Sequence, residues 1–186
     1  LGIAAPSIYL GNPTTGTDLT LNIMNGTVYN FEAYINLPAV DGTLFSAAID
    51  VNYNPSIFTL NGTPAINTSN FSSLFSSIVM PGDDAGDNVT GDDFGFNASF
   101  ANAGQSGEIS IGTFSLLAIA NANSGESLIT TLDLGPSSDD IVSEDGMVFD
   151  STTAYNGANA VPIPGSILLL GSGLIGLIGI ARRKMS

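Results

Sequence analysis

Two stretches of strict period-two alternation, abundant turn residues, and one long uncharged run near the carboxyl end predict an all-β sandwich followed by one C-terminal transmembrane helix. In the first stretch Tyr29, Phe31, Ala33, Ile35 and Leu37 face one way, with Asn30, Glu32, Tyr34 and Asn36 opposite. In the second, Phe45, Ala47, Ile49, Val51 and Tyr53 share a face, and Ser46, Ala48, Asp50 and Asn52 share the other. Alternation of this kind marks strands with one packed and one wet face. The chain of 186 residues also holds 22 glycines and 9 prolines. Many short strands separated by turn signals form two packed sheets.

Element by element, Leu19–Met24 is a first strand, and the two alternating stretches are joined by PAVDG. Asp41–Gly42 there supplies a tight turn, because glycine accepts positive φ, so the pair is predicted to form a hairpin. Asn54–Pro55 ends the second stretch, since proline cannot donate to a strand ladder. Further strands are expected at Ile57–Leu60, Phe94–Phe100, Glu108–Ile119, Ser127–Leu134 and Met147–Asp150. Residues 65–79 carry Phe71, Leu74, Phe75 and Ile78 at helical spacing, with Ser69 or Asn70 as a cap for a short helix. The sandwich is assigned to residues 1–150, enough chain to bury a core without disulfides. Residues 151–162, without apolar period, read as a linker.

From Ile163 to Ala181 there are 19 residues without formal charge, reaching about 28 Å as a helix, close to a bilayer's hydrocarbon thickness. Pro162 and Pro164 stand at its start, and Arg182, Arg183 and Lys184 follow as a cytoplasmic basic flank within tail 182–186. Ser172, Gly176 and Gly179 fall on one helical face, where small residues admit a neighbouring helix. Leu1 is not an initiator methionine, so a signal peptide is expected to have been removed. The expected localisation is single-pass in a bacterial membrane, with the N-terminal domain on the periplasmic or extracellular side and membrane lipid among the partners.

Charge excludes several functions. Residues 1–181 hold all 17 acids and no base, which rules out a nucleic-acid partner. Cysteine and histidine are absent, which removes disulfides, thiol nucleophiles, zinc clusters and Ser/His/Asp chemistry. Without tryptophan a ring-stacking cleft for a glycosidase carboxylate pair is hard to build, and no enzyme activity is expected. The densest acidic stretch, PGDDAGDNVTGDD, offers Asp83, Asp84, Asp87, Asp92 and Asp93 as candidate calcium ligands, although its spacing departs from the EF-hand. A second candidate group is Asp139, Asp140, Glu144 and Asp145.

The tail VPIPGSILLLGSGLIGLIGIARRK, residues 161–184, resembles the C-terminal sorting segment of PEP-CTERM proteins. Ile163 stands where that family has glutamate, which is closer to the VPLPA-type variant. The resemblance implies a bacterial exported protein and a sorting protease of the exosortase type as partner. The body resembles cohesin-like domains in VYNFEAYINL, LFSAAIDVNYNPSIFTLNG, FSSIVMPGDD and GEISIGTFSLLAIANANSGESLITTLDL. That resemblance implies a nine-stranded jelly roll, no catalysis, no resident cofactor, and protein–protein attachment. Two function classes follow. One is a non-catalytic, membrane-anchored surface module for adhesion, matrix attachment or assembly, with a protein partner. The other is an accessory subunit of a membrane complex, its helix packing against other spans.

Overall fold

The computed structural model describes residues 5–11, 18–80, 92–99, 105–133, 141–149 and 153–161. These residues hold thirteen strands in two sheets. They are β1 Ser7–Leu10, β2 Leu19–Leu21, β3 Val28–Leu37, β4 Leu44–Tyr53, β5 Phe58–Leu60, β6 Ala65–Ile66 and β7 Ser77–Val79. There follow β8 Asp93–Ser99, β9 Gly107–Ala118, β10 Ser127–Asp133, β11 Ile141–Ser143, β12 Ala154–Tyr155 and β13 Ala158–Ala160. Sheet A runs β12-β1-β3-β9-β5 with β6 also on β9; sheet B runs β2-β13-β10-β4-β8-β7 with β11 also on β4.

Both alternating stretches are strands, but they do not form a hairpin. β3 pairs with β1 and β9 in sheet A, whereas β4 pairs with β8, β10 and β11 in sheet B. Each has one apolar face that must be buried, and facing across a common core satisfies both at once. Residues 38–43 span the gap of about 10 Å between packed sheets. They do so through a 3-10 turn at Ala39–Asp41 and a Gly42 with φ of 90°. The turn signal was real; what it joins is a sheet-to-sheet crossing.

The core lies between the sheets, with Phe31, Ile35, Ile49 and Val51 buried as the alternation demands. At its centre Phe31 stacks on Phe114 at 5.0 Å, and Phe114 meets Phe94 of the opposite sheet edge-on at 5.1 Å. Phe94 and Phe96 make a further edge contact at 5.5 Å. Two details break the alternation in β4. Ser143 pairs with Leu44 and Val142 with Ser46, so Phe45 is the extra residue of a bulge. Leu44 enters the core in its place and Phe45 turns outward. On the other face Asp50 is buried, accepting a 3.0 Å hydrogen bond from Asn52 Nδ2.

The helix expected in 65–79 is absent. Asn67 and Ser72 turn the chain instead, Asn67 Oδ1 accepting from Ser69 N at 3.1 Å and Ser72 Oγ from Leu74 N at 3.2 Å. Short polar side chains that bond nearby backbone compete with a helix, and here they win. Residues 154–160 are woven into the sandwich. β12 lies parallel to β1 in sheet A, and β13 lies parallel to β2 in sheet B. Strands of two or three residues are too short to show a period.

Among the described residues no helix is long and apolar enough to cross a membrane. The fold class is therefore corrected to an all-β sandwich, with no transmembrane helix among the described residues. The residues assigned to that helix, 163–181, lie outside those described. The expectation rested on hydropathy and flanking charge alone. The expectations tied to it are withdrawn: membrane anchoring, the membrane-subunit alternative, membrane lipid and sorting protease as partners, the signal peptide, and the single-pass localisation.

Candidate interaction site

Asp83, Asp84, Asp87, Asp139, Asp140, Pro162, Pro164, Ser172, Gly176, Gly179, Arg182, Arg183 and Lys184 lie outside the described residues. Asp93 opens β8, buried and opposite Asn52 of β4. Asp92, just before it, accepts from Tyr53 N through its backbone carbonyl at 3.0 Å. Burial first, then the charges of Asp92 and Asp93, raise the Tyr53 phenol. Glu144 accepts from Thr43 Oγ1, and Asp145 from Ser143 Oγ. Among the described residues no group of three acidic, histidine or cysteine side chains is placed to hold a metal ion.

The structure instead assembles a feature that sequence reasoning missed, at one end of sheet B. Val148 bridges to Val142, Val142 pairs with Ser46, and Ser46 pairs with Ser99. Ser99 in turn holds the turn 72–76: its carbonyl accepts from Ser72 N at 3.3 Å, and its own N–H donates to Ser76 Oγ at 3.0 Å. Along this row the exposed apolar side chains are Val148, Met147, Phe45, Leu74 and Phe75, with Val40 on the preceding turn. Leu74 is 85% exposed and Phe75 60%. The buried ring of Phe71 pins the same turn to the core. Two large apolar residues are thus held out to water on a rigid base, about 15 Å from Val148 at the spacing of neighbouring strands. Glu144 and Asp145 follow β11 at the Val148 end of the row. The legible signal was Ser72-Ser73-Leu74-Phe75-Ser76, whose flanking serines favour a turn over a helix.

The outer face of sheet A is polar and tightly bonded. Tyr9 stacks on Tyr34 across β1 and β3 at 5.7 Å, its hydroxyl donating to Glu108 Oε2 at 2.7 Å. Ser110 Oγ donates to Glu32 Oε1. The Tyr34 phenol is pushed up to about 12, by burial first and then by its hydrogen bond to Glu32 and that carboxylate's charge. Burial and the Glu108 bond push Tyr9 higher still. A phenol whose folded pKa exceeds its unfolded value contributes stability that is complete below the unfolded pKa. That contribution is lost as pH rises through the folded value. Stability should therefore hold up to pH near the ordinary tyrosine value of 10.0 and decline above it. Urea unfolding across that range tests this, and Tyr9→Phe should flatten the decline; an unchanged slope would sink the assignment.

No protein-family model matches the sequence, and no curated protein does. The solved structures do match in fold. CaCohA2 from Clostridium acetobutylicum superposes with a TM-score of 0.55 at 13% identity, covering 85% of this chain and 90% of that one. A type III cohesin module from the cell-surface anchoring scaffoldin ScaE of Ruminococcus flavefaciens gives 0.55 at 10% identity, covering 85% and 87%. The sixth cohesin of Acetivibrio cellulolyticus scaffoldin B, solved in complex with a Cel5 dockerin, gives 0.53 at 7% identity, covering 86% and 99%. The chain has the cohesin fold over nearly the full length of these modules. The likeness of residues 161–184 to a sorting segment has no counterpart in these comparisons.

Proposed function

We propose that the chain is a non-catalytic protein-attachment module for adhesion or assembly, which holds its partner against the apolar end of sheet B. The observation that carries this is the rigid display of Leu74 and Phe75 at one end of a strand row whose other end carries exposed Met147 and Val148. Large apolar side chains held out to water on a fixed base are the kind of feature that marks a protein interface. Fold neighbours solved as complexes with dockerins support the same class of role. The partner's chemistry follows from charge: residues 1–181 offer no cation, so an apolar surface flanked by lysine or arginine is the complementary one. A large net charge of one sign also disfavours self-association through this face.

A photo-crosslinking residue placed at position 74, with the same residue at exposed Thr59 of sheet A as control, tests the reading in cells that make the protein. A discrete protein adduct is expected from position 74 alone, weakening with added salt and lost in the background of Phe75→Asp. Identical products from both positions, or an adduct indifferent to Phe75→Asp, would show that the patch is not the docking surface.

A further inference from the structure

The opposite sheet carries a second concavity that protein attachment through sheet B does not use. A groove of about 400 Å³ lies on the outer face of sheet A, lined by Gly11, Asn30, Glu32, Tyr34, Thr113 and Ser115 among others. Its origin is in the register. Gly11 N donates to Glu32 O at 2.9 Å, and Glu32 pairs with Thr113 on the other side. The row Gly11–Glu32–Thr113 lines the groove, with the Leu19 side chain packed where a Cβ of Gly11 would stand. Tyr34, two residues from Glu32 on the same face, forms one wall, and Tyr9 fixes its ring plane.

The polar groups in the groove are held before any ligand arrives. Glu32 accepts from Ser110 Oγ. Asn30 Oδ1 accepts from Ser115 Oγ at 2.6 Å, which fixes its carboxamide with the amide donors directed away from that bond. The groove thus offers donors (Asn30 Nδ2), acceptors (Glu32) and a two-way hydroxyl (Thr113) beside an aromatic ring. We propose that this groove binds a short neutral oligosaccharide, with Tyr34 packing against a sugar ring face and Asn30, Glu32 and Thr113 hydrogen-bonding its hydroxyls.

Competing ligand classes fit less well. An apolar ligand would desolvate the Glu32 carboxylate and leave the Asn30 amide donors without an acceptor, which is costly. An anionic one would meet Glu32 and Glu108 on an acidic body. A lysine side chain would pair with Glu32 but leave the Asn30 amide donors without an acceptor. A volume of this size falls within the range of small-ligand sites, and the pre-set side chains reduce the ordering cost of binding.

The test is an array of immobilised neutral, sulfated and sialylated glycans, with poly-lysine as the cationic probe, followed by titration of the tightest neutral glycan. The full chain should retain neutral glycans only. Tyr34→Ala should weaken the titrated affinity at least tenfold, and Glu32→Gln several-fold. Thr113→Arg, at an exposed position that need not disturb folding, should fill the groove and abolish binding, while Thr59→Ala at the far end of the sheet should change nothing. Circular dichroism of each variant separates loss of binding from loss of fold. Retention of no neutral glycan, retention of poly-lysine instead, or neutral-glycan binding indifferent to Thr113→Arg would overturn the proposal. None of these outcomes touches the sheet B reading.

Discussion

Gly157→Ala is expected to detach β13 from sheet B and to lower unfolding stability by about 3 kcal/mol, the upper end of ordinary overpacking costs. A methyl at this position would sit 1.9 Å from the Ile129 carbonyl oxygen and 3.1 Å from the Thr130 Cα. Both are backbone atoms, so no side-chain rotation relieves the clash. Gly157 is also tied at both of its polar groups, its N–H donating to Asp18 Oδ1 at 2.8 Å and its carbonyl accepting from Leu19 N at 2.8 Å. Moving it breaks the joint between the first and last strands of sheet B. Urea denaturation gives the measurement, and amide exchange at residues 158–160 gives the location. A variant that melts like the parent, with those amides still protected, would mean that the close approach is not a feature of the folded protein in solution.

Phe96→Ala should cost about 3–5 kcal/mol, the transfer and cavity cost of removing a buried ring. Phe96 is fully buried on the inner face of β8 and touches both Phe94 and Phe114, which join the two sheets. Phe75→Ala, the same chemical change at an exposed ring, should cost much less. The pair therefore separates core from surface without changing residue type. Comparable losses for both would place Phe75 in the core and remove the apolar docking surface at a stroke.

The sequence was most legible where burial is one-sided over a long strand. The inner face of β3 could be read directly, because ten residues carry several full periods. Pairing could not be read. Period two says which face of a strand is dry and nothing about its neighbour, so β3 and β4 were joined as a hairpin when they belong to opposite sheets. Local accommodations were also invisible: the bulge that trades Phe45 for Leu44 depends on β11, a hundred residues away in sequence. The 65–79 stretch failed for the opposite reason, since Phe71, Leu74, Phe75 and Ile78 have helical spacing by coincidence while serine and asparagine decide the backbone. The groove at Glu32 is a product of register, since Gly11 faces Glu32 only once β1 has paired with β3.

The parallel seating of the two chain ends bears on how the module behaves under tension. Ala154 N bonds Pro6 O at 2.9 Å, Asn156 N bonds Ile8 O at 2.9 Å, Leu19 N bonds Gly157 O at 2.8 Å, and Val161 N bonds Leu21 O at 2.9 Å. Pulling Pro6 and Val161 apart draws parallel neighbours past one another along their own axes. These bonds are then strained together, in shear, rather than opened one after another as in a hairpin peeled from its free end. Rupture must wait until the set fails as a unit, so stretching through the ends meets a high mechanical threshold before the core is exposed. In the attachment role proposed above such a geometry is an advantage, because a pull on the ends reaches the clasp before it reaches the proposed docking surface on sheet B.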